Sequence, residues 1–270
     1  MDIDAGTEAL DSDPAPTSSP SPAPAPAPAR ARARARAREI VAHRGDPVGA
    51  IENTREAITR ATASGARTVE IDVRLTADGV PVLLHDPTLE RLWGDPRAIA
   101  DISHGELADL APQIPTLVEA LRVAAPARLL IDMPDASPAA ASAAAVADAR
   151  RAAPRIPPPA WCGDLTALRI IRDADADAEI WMTWKQDGMP SRDLVESLRA
   201  RFWNPEHHRV TARSAADARF LGMEVSCWTV DDPARAKDLA ALGVRAIISN
   251  RAAQVRDEFA DGRSGSPAQV

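Results

Sequence analysis

Four short stretches of the chain bring together residue types suited to chemistry rather than packing. His43-Arg44-Gly45 follows the apolar run Ile40-Val41-Ala42, so the chain leaves a candidate strand with an imidazole and a guanidinium side by side. Arginine presents a rigid fork that matches two phosphate oxygens. Glu70-Ile71-Asp72 places two carboxylates two residues apart, which in a strand puts them on one side about 6 to 7 Å from each other. Val69, Ile71 and Val73 then face the other side. Paired buried carboxylates repel unless a cation lies between them or one is protonated, and a hard divalent ion such as Mg2+ or Ca2+ is the simplest account. Pairing with surface arginines is the alternative reading of the same two residues. His85-Asp86 closes a turn beyond PVLL, and Asp132 interrupts the apolar run RLLIDM, where a carboxylate seldom serves packing. Two histidines, one arginine and three carboxylates form a kit for metal-assisted phosphodiester hydrolysis. The ion and arginine neutralise the phosphoryl oxygens, and the histidines act as general base and general acid.

Such a kit needs elements that deliver all four stretches to one place. From Glu39 onward, short β-branched runs alternate with Ala/Leu/Arg helical stretches, the pattern of βα units around a parallel sheet. Strands are predicted at 39–45, 68–75, 81–86, 128–133, 159–163, 179–184, 201–204, 224–230 and 246–250. Helices are predicted at 52–64, 116–124, 138–153, 165–173, 191–200, 212–221 and 233–242. The Asp78-Gly79 turn between the second and third strands predicts a hairpin, leaving eight barrel strands. Eight strands with helices over about 230 residues predict an α/β fold, a (β/α)8 TIM barrel with a small β-hairpin extension after the second strand. A doubly wound sheet is disfavoured, because no glycine-rich phosphate loop follows any strand. In the barrel, all four stretches fall at C-terminal strand ends, where such folds build their sites.

Residues 1–38 read differently. An acidic start, a Ser/Pro/Ala tract and an Arg-Ala alternation from Arg30 to Arg38 contain too little large apolar surface to offset ordering, so a disordered tail is expected. The barrel is expected over 39–260 and a flexible C-terminus over 261–270. The whole chain has 270 residues, 45% hydrophobic, and a formal charge of −7, which disfavours nucleic acid as a substrate. Two cysteines cannot form a disulfide framework, and no apolar stretch is long enough to span a membrane. With no readable secretory signal, a cytoplasmic protein without stable membrane insertion is the expectation.

The order of these motifs carries a family resemblance. From about Ile40 to Asn250 the chain resembles a bacterial glycerophosphodiester phosphodiesterase. The resemblance rests on AHRG (42–45), ENTREAI (52–58), GARTVEIDVRLTADGVPVLLHDPTLERL (65–92), IPTLVEAL (114–121), WTVDD (228–232) and GVRAIISNR (243–251). It implies a TIM barrel, one divalent cation held by Glu70, Asp72 and Asp132, and His43 and His85 as the acid–base pair. Glu52 matches the family's ENT motif and is expected to order its loop by hydrogen bonding to Arg44 or His43. The implied substrate is a small glycerophosphodiester, cleaved to sn-glycerol 3-phosphate and an alcohol.

Three departures bear on that expectation. Asp132-Met133-Pro134 stands where the family has Glu-x-Lys, so a positive charge near the phosphate is missing, and Lys185 at a neighbouring strand end is the candidate replacement. Cys162-Gly163 replaces Ser-Phe, and Ser249-Asn250-Arg251-Ala252 replaces Thr-Asp-x-Pro. Trp228 is a candidate contact for the glycerol, whereas Trp161, Trp181, Trp184 and Trp203 read as core fillers. His104, His207 and His208 read as solvated. A lysophospholipase D-like lipid phosphodiesterase is one alternative and calls for an apolar entrance. The connection from Pro87 to Gln113, with Leu89, Leu92, Trp93, Ile99 and Ile102 among its large apolar residues, favours a small soluble diester. A barrel that binds a phosphoryl ligand without turnover is the other alternative, motivated by Pro134 and Asn250.

Overall fold

A computed structural model describes Met1 and residues 39–261. The expected tail over 1–38 and the expected flexible end therefore lie outside the described residues, except for Met1 and Asp261. The strands are β1 Glu39–Ala42, β2 Thr68–Leu75, β3 Pro81–Leu83, β4 Thr88–Leu89, β5 Asp95–Ala98, β6 Arg128–Met133, β7 Ala160–Gly163, β8 Glu179–Trp184, β9 Phe202–Pro205, β10 Glu224–Cys227 and β11 Ala246–Ser249. The helices are α1 Arg55–Ala63, α2 Glu90–Trp93, α3 His104–Leu110, α4 Leu117–Ala124, α5 Ala139–Ala152, α6 Leu165–Ala174, α7 Arg192–Leu198, α8 Ala212–Phe220, α9 Pro233–Ala241 and α10 Ala252–Asp261.

Strands β1, β2 and β6 to β11 pair in parallel in the order β1-β11-β10-β9-β8-β7-β6-β2, and β1 also pairs with β2, which closes the barrel. The expected (β/α)8 fold is present, and β3 lies antiparallel on β2 as the expected hairpin. Strand alternation separates two cores. Val69, Ile71, Val73, Ile131 and Ile180 pack in the layer beneath the helices, while Val41, Leu130, Ala160, Cys162, Trp181, Phe202, Ala246 and Ile248 fill the barrel itself. The Trp181 and Phe202 rings meet at 4.3 Å between centroids and are the bulk of that filling. Helix starts are fixed by side chains the sequence supplies in place. Thr54 caps α1, Thr116 and Glu119 form a reciprocal capping box on α4, and Asp164 caps α6.

The strand starts carry an alternating ring of charge. Arg128 donates to Glu179 at 2.9 Å and pairs with Glu39 at 3.4 Å. Arg201 joins Glu179 to Glu224, and Arg245 meets the other Glu224 oxygen at 3.4 Å. This end is closed by matched ion pairs.

Three strands stop three residues before their expected ends: β1 at Ala42, so His43-Arg44-Gly45 belongs to the following turn, β3 at Leu83, so His85-Asp86 lies beyond it, and β10 at Cys227, before Trp228. The connection after the hairpin is more than a loop. It contains β4, β5, a 3-10 turn and α3, and Val82, Leu84, Leu89, Ile99, Ile102, Leu107, Ala111 and Ile114 form its own small core. Its large apolar side chains are thus largely consumed internally. No helix among the described residues is long and apolar enough to cross a membrane.

Candidate active site

Register brings the carboxylates together. In the parallel ladder Asp72 of β2 lies opposite Asp132 of β6, and Glu70 sits two residues back on the same face of β2. Glu70 and Asp72 are buried at 3% and 2% exposure. Each of the three offers a carboxylate oxygen, all within 4.8 Å of one another. Burial, then repulsion from Asp72 and Asp132, pushes the Glu70 carboxyl well above its ordinary range. Burial and Asp72 likewise raise Asp132 to about 7. Asp132 Oδ1 is buried with no hydrogen-bond partner among the described residues. An all-oxygen donor set, mutually repelling and with an orphaned oxygen, fits a hard divalent cation.

Neighbouring elements leave room for this trio. Gly163, at the end of β7 with φ +110°, lies against Asp132; a Cβ there would come within 2.4 Å of Asp132 Oδ1 and 2.1 Å of the Met133 carbonyl. Only glycine fits that approach. Asn53, buried and at φ +58°, donates through Nδ2 to Asp72 Oδ2 at 2.8 Å, and its Oδ1 accepts from the Asp72 amide at 3.1 Å. One Asp72 oxygen is therefore oriented from behind.

The arginine and first histidine enter from the turn after β1. Arg44, at φ +54°, donates its backbone N–H to Glu70 Oε2 at 2.9 Å, and its guanidinium lies between Asp72 at 3.2 Å and Glu52 at 2.8 Å. Two non-glycine residues in the left-handed region within one turn are a local strain of the kind found at functional sites. His43 points Nε2 toward Glu70 at 3.8 Å, and its Nδ1 meets Asn250 Oδ1 at 2.7 Å. Burial, then the Arg44 charge, lowers the His43 imidazole below its usual range, which favours the neutral ring.

The second histidine arrives from the hairpin. Arg74 of β2 donates to the His85 carbonyl from two nitrogens, at 3.1 and 2.7 Å, and reaches Asp135 at 2.9 Å. His85 Nδ1 meets Asp86 Oδ1 at 2.7 Å. Arg91 of α2 bridges the other Asp86 oxygen to Glu52. Glu52 thus orders two arginines, as expected for its loop, and lies outside the acidic trio.

His43, Arg44, Glu70, Asp72, His85, Asp132, Lys185 and Trp228 line one cavity of about 320 Å³. All eight are residues singled out in the sequence, and the structure brings them to one cavity. Lys185 follows β8 directly and lines the cavity that Pro134 also lines, its charge acting on Asp132 and its Nζ lying 5.7 Å from the Trp228 ring centroid. Trp228 Nε1 donates to the Asn204 carbonyl at 3.1 Å. Trp161, Trp181, Trp184 and Trp203 are buried, as expected of fillers. Asn53, Arg91 and Asp231 were not anticipated. Only Asn53 carried a signal, since asparagine in ENT is a residue that tolerates the left-handed turn.

The fold and rim define a (β/α)8 barrel with an acidic trio, two of its members buried, flanked by two imidazoles and an arginine. Residues 43–254 match the Glycerophosphoryl diester phosphodiesterase family, and the chain belongs to it. Glycerophosphodiester phosphodiesterase 1 of Bos taurus is 38% identical over 94 residues, 30% of this chain and 28% of that protein. The Glycerophosphodiester phosphodiesterase of Caldanaerobacter subterraneus is 36% identical over 91 residues, 30% of this chain and 37% of its own length. These matches therefore span well under half of the relatives. Among solved structures, a phosphodiesterase of Oleispira antarctica in complex with the product sn-glycerol-3-phosphate superposes with a TM-score of 0.74 at 23% identity, covering 82% of this chain and 96% of that one. The Thermotoga maritima glycerophosphodiester phosphodiesterase gives 0.69 at 23% identity, over 81% and 96%. Both likenesses bear on the fold.

Proposed function

We propose that this chain is a metal-dependent phosphoric diester hydrolase that cleaves small glycerophosphodiesters to sn-glycerol 3-phosphate and an alcohol. The observation that carries the reading is the convergence of His43, His85, Arg44 and the carboxylates of Glu70, Asp72 and Asp132 on one cavity. The product held by the Oleispira barrel supports the substrate class.

Glu70, Asp72 and Asp132 would hold one divalent cation, Mg2+ or Ca2+, which when bound supplies positive charge to the phosphoryl oxygens. Arg44, pre-oriented by Glu52 and Asp72, presents its guanidinium at the same place and needs no reorganisation to meet an anion. His43, favoured in its neutral form with Nε2 toward the cavity, accepts the proton of the attacking hydroxyl. His85, oriented by the contact of its Nδ1 with Asp86, is the partner that donates a proton to the departing alcohol oxygen. Attack by water gives sn-glycerol 3-phosphate directly, whereas attack by the glycerol hydroxyl expels the alcohol and closes a cyclic phosphate, which water then opens with the two histidines exchanging roles. Lys185 provides the charge that Pro134 lacks, and Trp228 offers an apolar face to the glycerol carbons.

The polar rim of Arg44, Asp164, Lys185 and Gln186 and the internal use of the insertion's apolar residues support a soluble diester over a lysolipid. The free, buried thiols of Cys162 and Cys227 accord with a cytoplasmic place of action. The test is incubation of the full chain with glycerophosphocholine and glycerophosphoethanolamine in Mg2+, Ca2+, Mn2+ or EDTA. Cation-dependent release of sn-glycerol 3-phosphate is expected; no turnover with any cation would overturn the reading.

A further inference from the structure

Behind His43 lies a hydrogen-bonded chain that the reaction itself does not require. Asp231, in the turn after β10, accepts at Oδ1 from the Asn250 backbone N–H at 2.8 Å and the Ser249 hydroxyl at 3.0 Å. Its Oδ2 accepts from Asn250 Nδ2 at 2.8 Å. An ionised carboxylate has only acceptors, so the amide of Asn250 has one permissible orientation: reversed, its oxygen would face a carboxylate oxygen with no proton between them. Asn250 Oδ1 must then face His43 Nδ1, which lies 2.7 Å away, and an amide oxygen can only accept. His43 Nδ1 therefore carries a hydrogen, and in the neutral ring the Nε2 lone pair is the one left toward the cavity and Glu70.

We infer that Asp231 and Asn250 are positioning residues that select the Nδ1–H tautomer of His43 through the orientation of one amide. The inference rests on the reading of His43 as the proton acceptor. It also gives the Asn250 departure a role: the amide relays the Asp231 carboxylate's acceptor pattern to the imidazole as a neutral acceptor.

Asp231→Asn is the discriminating variant because it is nearly isosteric. An asparagine at 231 keeps an oxygen for the Ser249 hydroxyl and the Asn250 N–H but turns a donor toward the Asn250 side chain. That amide must rotate, offer Nδ2–H to His43 Nδ1, and drive the imidazole to the Nε2–H tautomer. The experiment is nitrogen-15 NMR of the histidine-labelled full chain with Mg2+, the His43 signals being assigned by their loss in His43→Gln. The expected result is an Nδ1–H tautomer in the wild type, an Nε2–H tautomer in Asp231→Asn, and a fall in kcat of about 10- to 100-fold with little change in KM. Should Asp231→Asn not fold, Asn250→Ala removes the acceptor and is expected to release His43 to the Nε2–H form preferred in water. A wild type in the Nε2–H form, or a tautomer unmoved by whichever variant folds, overturns the inference. A tautomer that switches while turnover of glycerophosphocholine stays unchanged upholds the positioning and overturns the role of His43 as proton acceptor.

Discussion

At the scale of single residues, the site depends on charges that substitute for one another in space rather than in sequence. Pro134 occupies the position where the family resemblance expects a lysine, and Lys185, from two strands away, lines the same cavity. A charge-assisted contact to a phosphate oxygen contributes roughly 1.5–3 kcal/mol, so Lys185→Ala is expected to lower kcat/KM by about tenfold or more, mainly through KM. Steady-state kinetics with glycerophosphocholine checks this, and an unchanged kcat/KM would remove Lys185 from the binding machinery. The acid–base candidates differ in surroundings in a similar way. His43 is held by an uncharged amide and depressed by burial and Arg44, whereas His85 faces a carboxylate. The identities of both histidines, of Arg44 and of the three carboxylates were legible in the sequence, because a charged or titratable side chain at the end of an apolar run stands out. The residues that orient them were not. Asp231 and Arg91 lie 19 and 39 positions from their partners, and only closure of the barrel and docking of the insertion bring them into contact.

At the scale of elements, strand register does the positioning. Asp72 opposite Asp132 and Gly163 opposite Met133 follow from the pairing of β2 with β6 and of β6 with β7. β2, β6 and β8 match the sequence reading in full, since each is an uninterrupted β-branched or aromatic run with clear turn residues around it. The insertion carrying β4, β5 and α3 was read as a bare connection because its strands are two and four residues long and its periodicity is too short to register. Helix α10 is likewise not legible, only two residues separating its start from the final strand. Gly163 supplies a direct test of the register argument. Gly163→Ala would force a methyl into the Met133 carbonyl and Asp132, so it is expected to abolish cation binding and to destabilise the fold by about 1–3 kcal/mol. Gly79 also has positive φ, but nothing lies within 4 Å of its added Cβ. Gly79→Ala is expected to cost about 1 kcal/mol and leave cation binding intact. Thermal denaturation with and without Mg2+ distinguishes the two; equal cation responses would contradict the role assigned to the close approach.

At the scale of the whole molecule, the barrel separates stability from chemistry. The strand starts are closed by the Arg128, Arg201 and Arg245 ion-pair ring, while the strand ends concentrate carboxylates whose repulsion opposes folding. The sign of the pH dependence follows. Asp132 titrates at about 7 in the folded chain and near the ordinary carboxylate value when unfolded. Its contribution to stability is therefore present below the unfolded value and is lost as pH rises through about 7, and Glu70 acts in the same direction. A bound cation favours the ionised forms, so the rise in Tm on adding Mg2+ is expected to grow between about pH 5.5 and 8. At a hundredfold excess over Kd the stabilisation is about 2.7 kcal/mol, roughly 5–10 °C for a domain of this size. A cation-induced shift that is the same at both pH values would contradict the carboxylate assignment. Phosphodiester hydrolysis at this rim is proposed to run by proton transfer at His43. The most direct measurement is kcat for glycerophosphocholine in the wild type and in His43→Ala, each with saturating cation and matched Tm. A loss of about 10²- to 10⁴-fold in the variant is the predicted result, and turnover within twofold of wild type would contradict the account.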